Sequence, residues 1–191
     1  IIFVVRFYKK GYMDSKGFIT RYKDKNPIIH RDAFVDVSSR IIGDVNIGAG
    51  ASIWPMAVLR ADSEGIRVGR RAAILDLVLI EAPKSYPVII EEESIISHNV
   101  VIHGAHIHAC VLVGIGAIVL EGAVISSGSV VGAGSVVTAG TFIPPDSLVM
   151  GTPAKVVRET SEKERRNIMM QVEELYAKSR EYKRLYENKS P

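Results

Sequence analysis

Four of the five histidines in this sequence lie within eleven residues, at His98, His103, His106 and His108. Imidazole is the commonest metal ligand and titrates near neutral pH. Upstream stand charged groups able to complete or tune such a cluster: Arg60-Ala61-Asp62, Asp76 and Glu81. Histidine and carboxylate together make a legitimate zinc donor set. A zinc ion with three protein ligands and one open position lowers the pKa of its bound water to about 7, which is the chemistry such residues could do. His103, His106 and His108 form a His-x-x-His-x-His run, in which His106 and His108 read as surface residues. His30 reads as structural, and Glu91-Glu92-Glu93 as a solvated corner.

The element that positions these groups is a repeat. Aliphatic residues recur every six positions at Ile29, Val35, Ile41, Ile47, Ile53 and Leu59. The frame resumes at Val68, Ile74 and Ile80, again at Ile90, Ile96 and Ile102, and then runs from Ile107 through Val113, Val119, Ile125, Val131, Val137 and Ile143 to Val149. The fourth residue after each is often small, as at Ala51, Ala72, Ala117, Ser129 and Ser135. Six is the period of neither a half-buried strand nor a helix. It is the mark of a hexapeptide parallel β-helix, with the aliphatic pointing inward and the small residue at the corner. One flat face cannot bury itself, so coils stack and share a core.

Composition agrees. The chain has 191 residues, is 47% hydrophobic and 24% charged, and holds 55 Ile, Val and Leu residues, an excess that favours strands. A net charge of +3 gives no argument for nucleic acid. No apolar run approaches the roughly 18 residues of a membrane span, so no membrane partner is expected. The single Cys110 excludes an internal disulfide framework and suits a reducing compartment. The apolar start Ile1–Val5 precedes its basic residues, the reverse of a secretory signal, and the chain reads as cytoplasmic. Met13 is the nearer candidate for the natural start.

Several segments resemble the γ-class carbonic anhydrases and their relatives: Gly43-Asp44-Val45, Ser52-Ile53-Trp54-Pro55, Val58-Leu59-Arg60-Ala61-Asp62, His98 with His103-Gly104, and Gly151-Thr152-Pro153-Ala154-Lys155-Val156-Val157-Arg158. The resemblance covers residues 27–158, in order. It implies an all-β, left-handed parallel β-helix of hexapeptide repeats, three to a coil, with a C-terminal α-helix along the coils. Residues 1–26 are then an N-terminal segment and lead-in strand, 27–158 the β-helix, and 159–191 the C-terminal helix and tail. The resemblance also implies a homotrimer with metal sites between subunits, carbon dioxide or bicarbonate as substrate, and zinc as cofactor, with iron or cobalt as alternatives.

An eighteen-residue coil fixes two columns. The step from Leu59 to Val68 holds three extra residues, and that from Ile80 to Ile90 holds four. With these removed, Leu59, Ile80 and Ile102 share a face, which stacks Arg60, Glu81 and His103 about 4.8 Å apart per coil. Ile74 and Ile96 share another, which stacks Asp76 beneath His98. The resemblance puts the family's three histidine ligand positions on His98, His103 and Glu81, so the third position holds a carboxylate here, either as a ligand or as a solvated corner charge. Arg60, Asp62 and Asp76 match its supporting catalytic charges. Leu75 stands in place of a glutamine, Ala73 of an asparagine and Ser63 of a glutamate. Two alternatives stay open: a non-catalytic trimeric scaffold with a degenerate site, and a hexapeptide-repeat acyltransferase using acyl-CoA. The excursion Glu81–Ile89 carries no histidine to serve the latter as general base.

Beyond the coils, Ser161-Glu162-Lys163-Glu164 reads as a capping box. Ile168, Val172, Leu175, Ser179, Tyr182 and Tyr186 then share one face of a packing helix.

Overall fold

The computed structural model describes residues 18–187, so Met13 lies outside the described residues. The period-six aliphatics form the interior of a parallel β-solenoid of about seven turns. Ile41, Ile53, Leu59, Ile74, Ile80, Ile96, Ile102, Ile107, Val119, Ile125 and Val137 have no exposed surface. The small residues turn the corners. At one corner the Ser94 hydroxyl donates to the His108 carbonyl at 2.8 Å and accepts from the Val111 N–H at 3.1 Å, satisfying backbone that the turn removes from the ladder.

Three faces follow from the strand register. The first stacks Phe34–Val35, Ser52–Ile53, Ala73–Ile74, Ile95–Ile96, Leu112–Val113 and Val130–Val131. The second stacks Arg40–Ile42, Val58–Arg60, Leu79–Glu81, Val101–His103, Ile118–Val119 and Val136–Val137. The third stacks Ile66–Val68, Val88–Ile90, His106–Ile107, Val124–Ile125 and Phe142–Ile143. The two insertions behave differently. The three extra residues between Leu59 and Val68 do not loop out; Val58–Val68 is one continuous strand that turns from the second face onto the third. Gly43 makes this close approach workable, since a Cβ there would lie 2.1 Å from the Ala61 carbonyl oxygen. The four residues after Ile80 do form an excursion, around Pro83–Pro87, which lies against Gly104.

The last coil strand, Ser147–Gly151, pairs antiparallel with Ala154–Glu159 and so leaves the sheet with a returning edge strand rather than an open coil. The helix Glu162–Glu187 then runs along the first face. Its capping box forms: Ser161 N–H donates to Glu164 Oε2 at 2.7 Å, and Glu164 N–H to Ser161 Oγ at 3.2 Å. Ile168 and Val172 bury against Phe34, Trp54, Ala73, Leu75 and Ile95, with Leu175 and Tyr186 beside them. Tyr182 meets Trp54 edge-on at 5.4 Å, and the Tyr186 hydroxyl donates to Asp36 at 2.6 Å. The packing helix expected from its apolar stripe is what is found.

Candidate functional site

The second face ends in a column of charged side chains. Arg60 pairs with Glu81, and Glu81 with His103, on successive strands. Arg60 Nη2 donates to Glu81 Oε1 at 2.6 Å, and Nη1 to Asp62 Oδ2 at 2.8 Å. One guanidinium therefore holds two carboxylates, which its fixed fork of donors suits. His103 Nδ1 lies 3.2 Å from Glu121 Oε2 on the next coil. That carboxyl is held below its ordinary range by its own backbone N–H and by His103. Gly104 follows at a φ of 67°, and a Cβ there would come within 2.6 Å of Tyr86 Cβ. A side chain after His103 would therefore collide with the excursion.

At the end of the first face, Asp76 lies beneath His98, with Oδ2 at 3.1 Å from Nδ1. His103 Nδ1 is hydrogen-bonded to its carboxylate, and His98 Nδ1 stands within ion-pair reach of Asp76. In a neutral ring whose Nδ1 donates to a carboxylate, the Nε2 lone pair is left for another partner. This is the arrangement of a metal-ligating histidine with its supporting carboxylate.

Within one chain these residues do not converge. Arg60, Asp62, Glu81 and His103 form one group and Asp76 with His98 another, at opposite ends of the second face. Leu75, one residue before Asp76, packs with Trp54 and the helix residues Ile168 and Val172. Its apolar character is explained by that contact.

Among the described residues, one set of three metal-type donors does converge: Glu91, His106 and His108. The two histidines do lie at the surface, each about one-third exposed, and Glu91 is tied to both rather than left to solvent alone. His106 and His108 flank the inward Ile107, so both rings leave the third face, stacked 4.2 Å apart between centroids. The sequence reading also missed Glu121. It lies eighteen residues after His103, one full coil, so the same spacing that stacked Glu81 could have found it.

A hexapeptide β-helix carrying histidine–carboxylate pairs at its coil corners defines the class. No protein-family model matches the chain. A Methanocaldococcus jannaschii protein named "Probable carbonic anhydrase" is 49% identical over 74% of this chain and 89% of its own length. A mitochondrial γ carbonic anhydrase of Arabidopsis thaliana is 38% identical over 74% of this chain, which spans 53% of that longer protein. The solved structure of a hexapeptide transferase family protein from Anaplasma phagocytophilum is similar at a TM-score of 0.84 and 34% identity, covering 87% of this chain and 99% of its own. The chain belongs to the γ-carbonic-anhydrase-like family of hexapeptide-repeat proteins.

Proposed function

We propose that the protein is a γ-carbonic-anhydrase-like metalloenzyme of a homotrimer, cytoplasmic, acting on carbon dioxide and bicarbonate. Its metal centre joins His98 of one chain to Glu81 and His103 of the next. One observation carries this reading: His98 and His103 each have Nδ1 beside a carboxylate, with the other ring nitrogen left over, yet stand at opposite ends of one face. Two imidazoles prepared in this way but separated within a chain are best used across a subunit boundary.

When bound there, zinc, or iron or cobalt in its place, makes its water acidic near neutral pH. The chain's own residues do the rest. Glu121 orients the His103 ring through its hydrogen bond, and Asp76 sits beside His98 Nδ1 to do the same for that ring. Arg60 holds Oε1 of Glu81 and leaves Oε2 as the donor. Its positive charge offsets the extra negative charge that a carboxylate brings in place of a third neutral imidazole. Asp62 holds the other arm of Arg60 and so fixes the guanidinium.

A trimeric scaffold without turnover is the second reading. It is favoured by Glu81, which puts a carboxylate already bound by Arg60 where the resembling enzymes have a histidine. The transferase-named structure supports an acyl-transfer reading no better, because the excursion near Pro83–Pro87 offers no histidine.

The test is metal analysis of the purified protein joined to a stopped-flow carbon dioxide hydration assay. Hydration above buffer is expected, with His103→Ala losing both the hydration and the metal equivalent of this centre. A zinc-loaded wild type with no hydration above buffer would overturn the enzyme reading and leave the scaffold.

A further inference from the structure

We propose that Glu91, His106 and His108 form a second divalent-metal site, complete within one chain and separate from the His98–His103 centre. The donors come from two successive coils of the third face. Glu91 follows Ile90, and His106 and His108 flank Ile107, the residue paired with Ile90 across the ladder. The register thus brings one carboxylate opposite two imidazoles without any loop.

The geometry is close to that of a bound ion. Glu91 Oε1 lies 2.8 Å from His106 Nε2 and 3.3 Å from His108 Nδ1. All three donor atoms fall within 4.8 Å of one another. Metal–nitrogen and metal–oxygen bonds of roughly 2.0–2.1 Å in a tetrahedral site put neighbouring ligand atoms about 3.3 Å apart. Small side-chain rotations therefore admit an ion between the three.

The surroundings hold the donors in place. Glu91 Oε2 accepts the Ala109 N–H at 3.0 Å, which leaves Oε1 facing the rings. The His108 carbonyl accepts from Ser94 Oγ, and the His108 N–H donates to the Ile125 carbonyl at 2.9 Å.

Two imidazoles stacked face to face gain little from each other as hydrogen-bond donors to a single oxygen. As ligands, they present two lone pairs to one point beside an anion. All three side chains are about one-third exposed, which leaves the fourth position open to water. His106 also lines a shallow groove between Tyr86 and Val124, so that position borders an accessible surface.

A donor set of two nitrogens and one oxygen suits a first-row transition ion such as zinc, cobalt or nickel rather than magnesium or calcium. Binding needs a free lone pair on the coordinating nitrogen: a proton there moves to the other ring nitrogen of a neutral imidazole, or to buffer from a cationic one.

Zinc is the probe. The metal-free protein is titrated at micromolar zinc and the bound equivalents per chain are counted, for the wild type, for the double variant His106→Ala/His108→Ala, and for His98→Ala. The double variant should bind one zinc per chain fewer than the wild type and keep its β-type circular dichroism. Glu91→Gln, which keeps the shape and removes the charge, should weaken the same equivalent at least tenfold. The equivalent lost in His98→Ala should be a different one, so the two sites fail independently. If the double variant is folded and binds as much zinc as the wild type, there is no metal site at the triad. If Glu91→Gln binds that equivalent as tightly as the wild type, the carboxylate is not a ligand and the three-donor site is wrong.

Discussion

Ile125 and Val124 are adjacent on one short strand, yet the period-six frame gives them opposite fates. Ile125 points inward between Ile107 and Ile143 and has no exposed surface. Val124 points outward between His106 and Phe142. Ile125→Ala removes three carbons, worth about 2.4 kcal/mol at roughly 0.8 kcal/mol for each buried methylene. A cavity term adds to this where the surroundings cannot close in. Here they cannot, because ladder bonds fix the coils on both sides: His108 N–H to the Ile125 carbonyl at 2.9 Å and Ser126 N–H to the Ile143 carbonyl at 3.1 Å. The total should reach about 3–4 kcal/mol, within the roughly 2–5 kcal/mol range for such truncations. Val124→Ala should cost about 1 kcal/mol or less. Equilibrium urea unfolding followed by circular dichroism measures both through the midpoint. A cost for Ile125→Ala no larger than for Val124→Ala would refute the assignment of the core.

Three further outcomes are expected. Ser161→Ala removes the oxygen that accepts the Glu164 N–H and should destabilise the helix end by about 1 kcal/mol, read from helical circular dichroism during urea unfolding. Glu164 is held below its ordinary range by Arg158 first and then by Ser161, so its contribution should be fully present above the unfolded carboxylate value near about 4.3 and fade as pH falls towards its lower folded value; an acid titration of the helix signal checks this, and Glu164→Gln should flatten it. Leu75→Gln places an amide against Trp54, Ile168 and Val172 and should cost about 1–3 kcal/mol in the same urea assay.

The interior was legible because packing forces it: a narrow solenoid admits one inward aliphatic per strand, and that requirement is written as a period of six. The columns joining Arg60 to Glu81 and His103, and Asp76 to His98, were legible for the same reason. Spacing fixes register, and register fixes neighbours. What spacing does not fix is side-chain direction about an inward residue. Register sets His106 and His108 outward on either side of Ile107 and opposite Glu91, but the stacking of both rings against that carboxylate is a matter of side-chain placement. The extra residues before Val68 were legible as an insertion but not as a strand. Their path depends on the close approach of Gly43 to Ala61, a contact between coils. The ligand roles proposed for His98, His103 and Glu81 rest on family likeness and on the supporting carboxylates, because the proposed site would be split between chains.

The claim that the metal centre lies between chains is tested most directly by subunit mixing. His98→Ala and His103→Ala are each expected to lose that centre's metal and hydration. When the two are unfolded together at equal amounts and refolded, about three-quarters of trimers contain both variants by random assembly of a cyclic three-fold. Each mixed ring has one boundary where an intact His98 meets an intact His103, one site of its three. Metal at that centre and hydration should therefore recover to about a quarter of the wild-type level. Recovery no greater than in either variant refolded alone would contradict a centre built between chains.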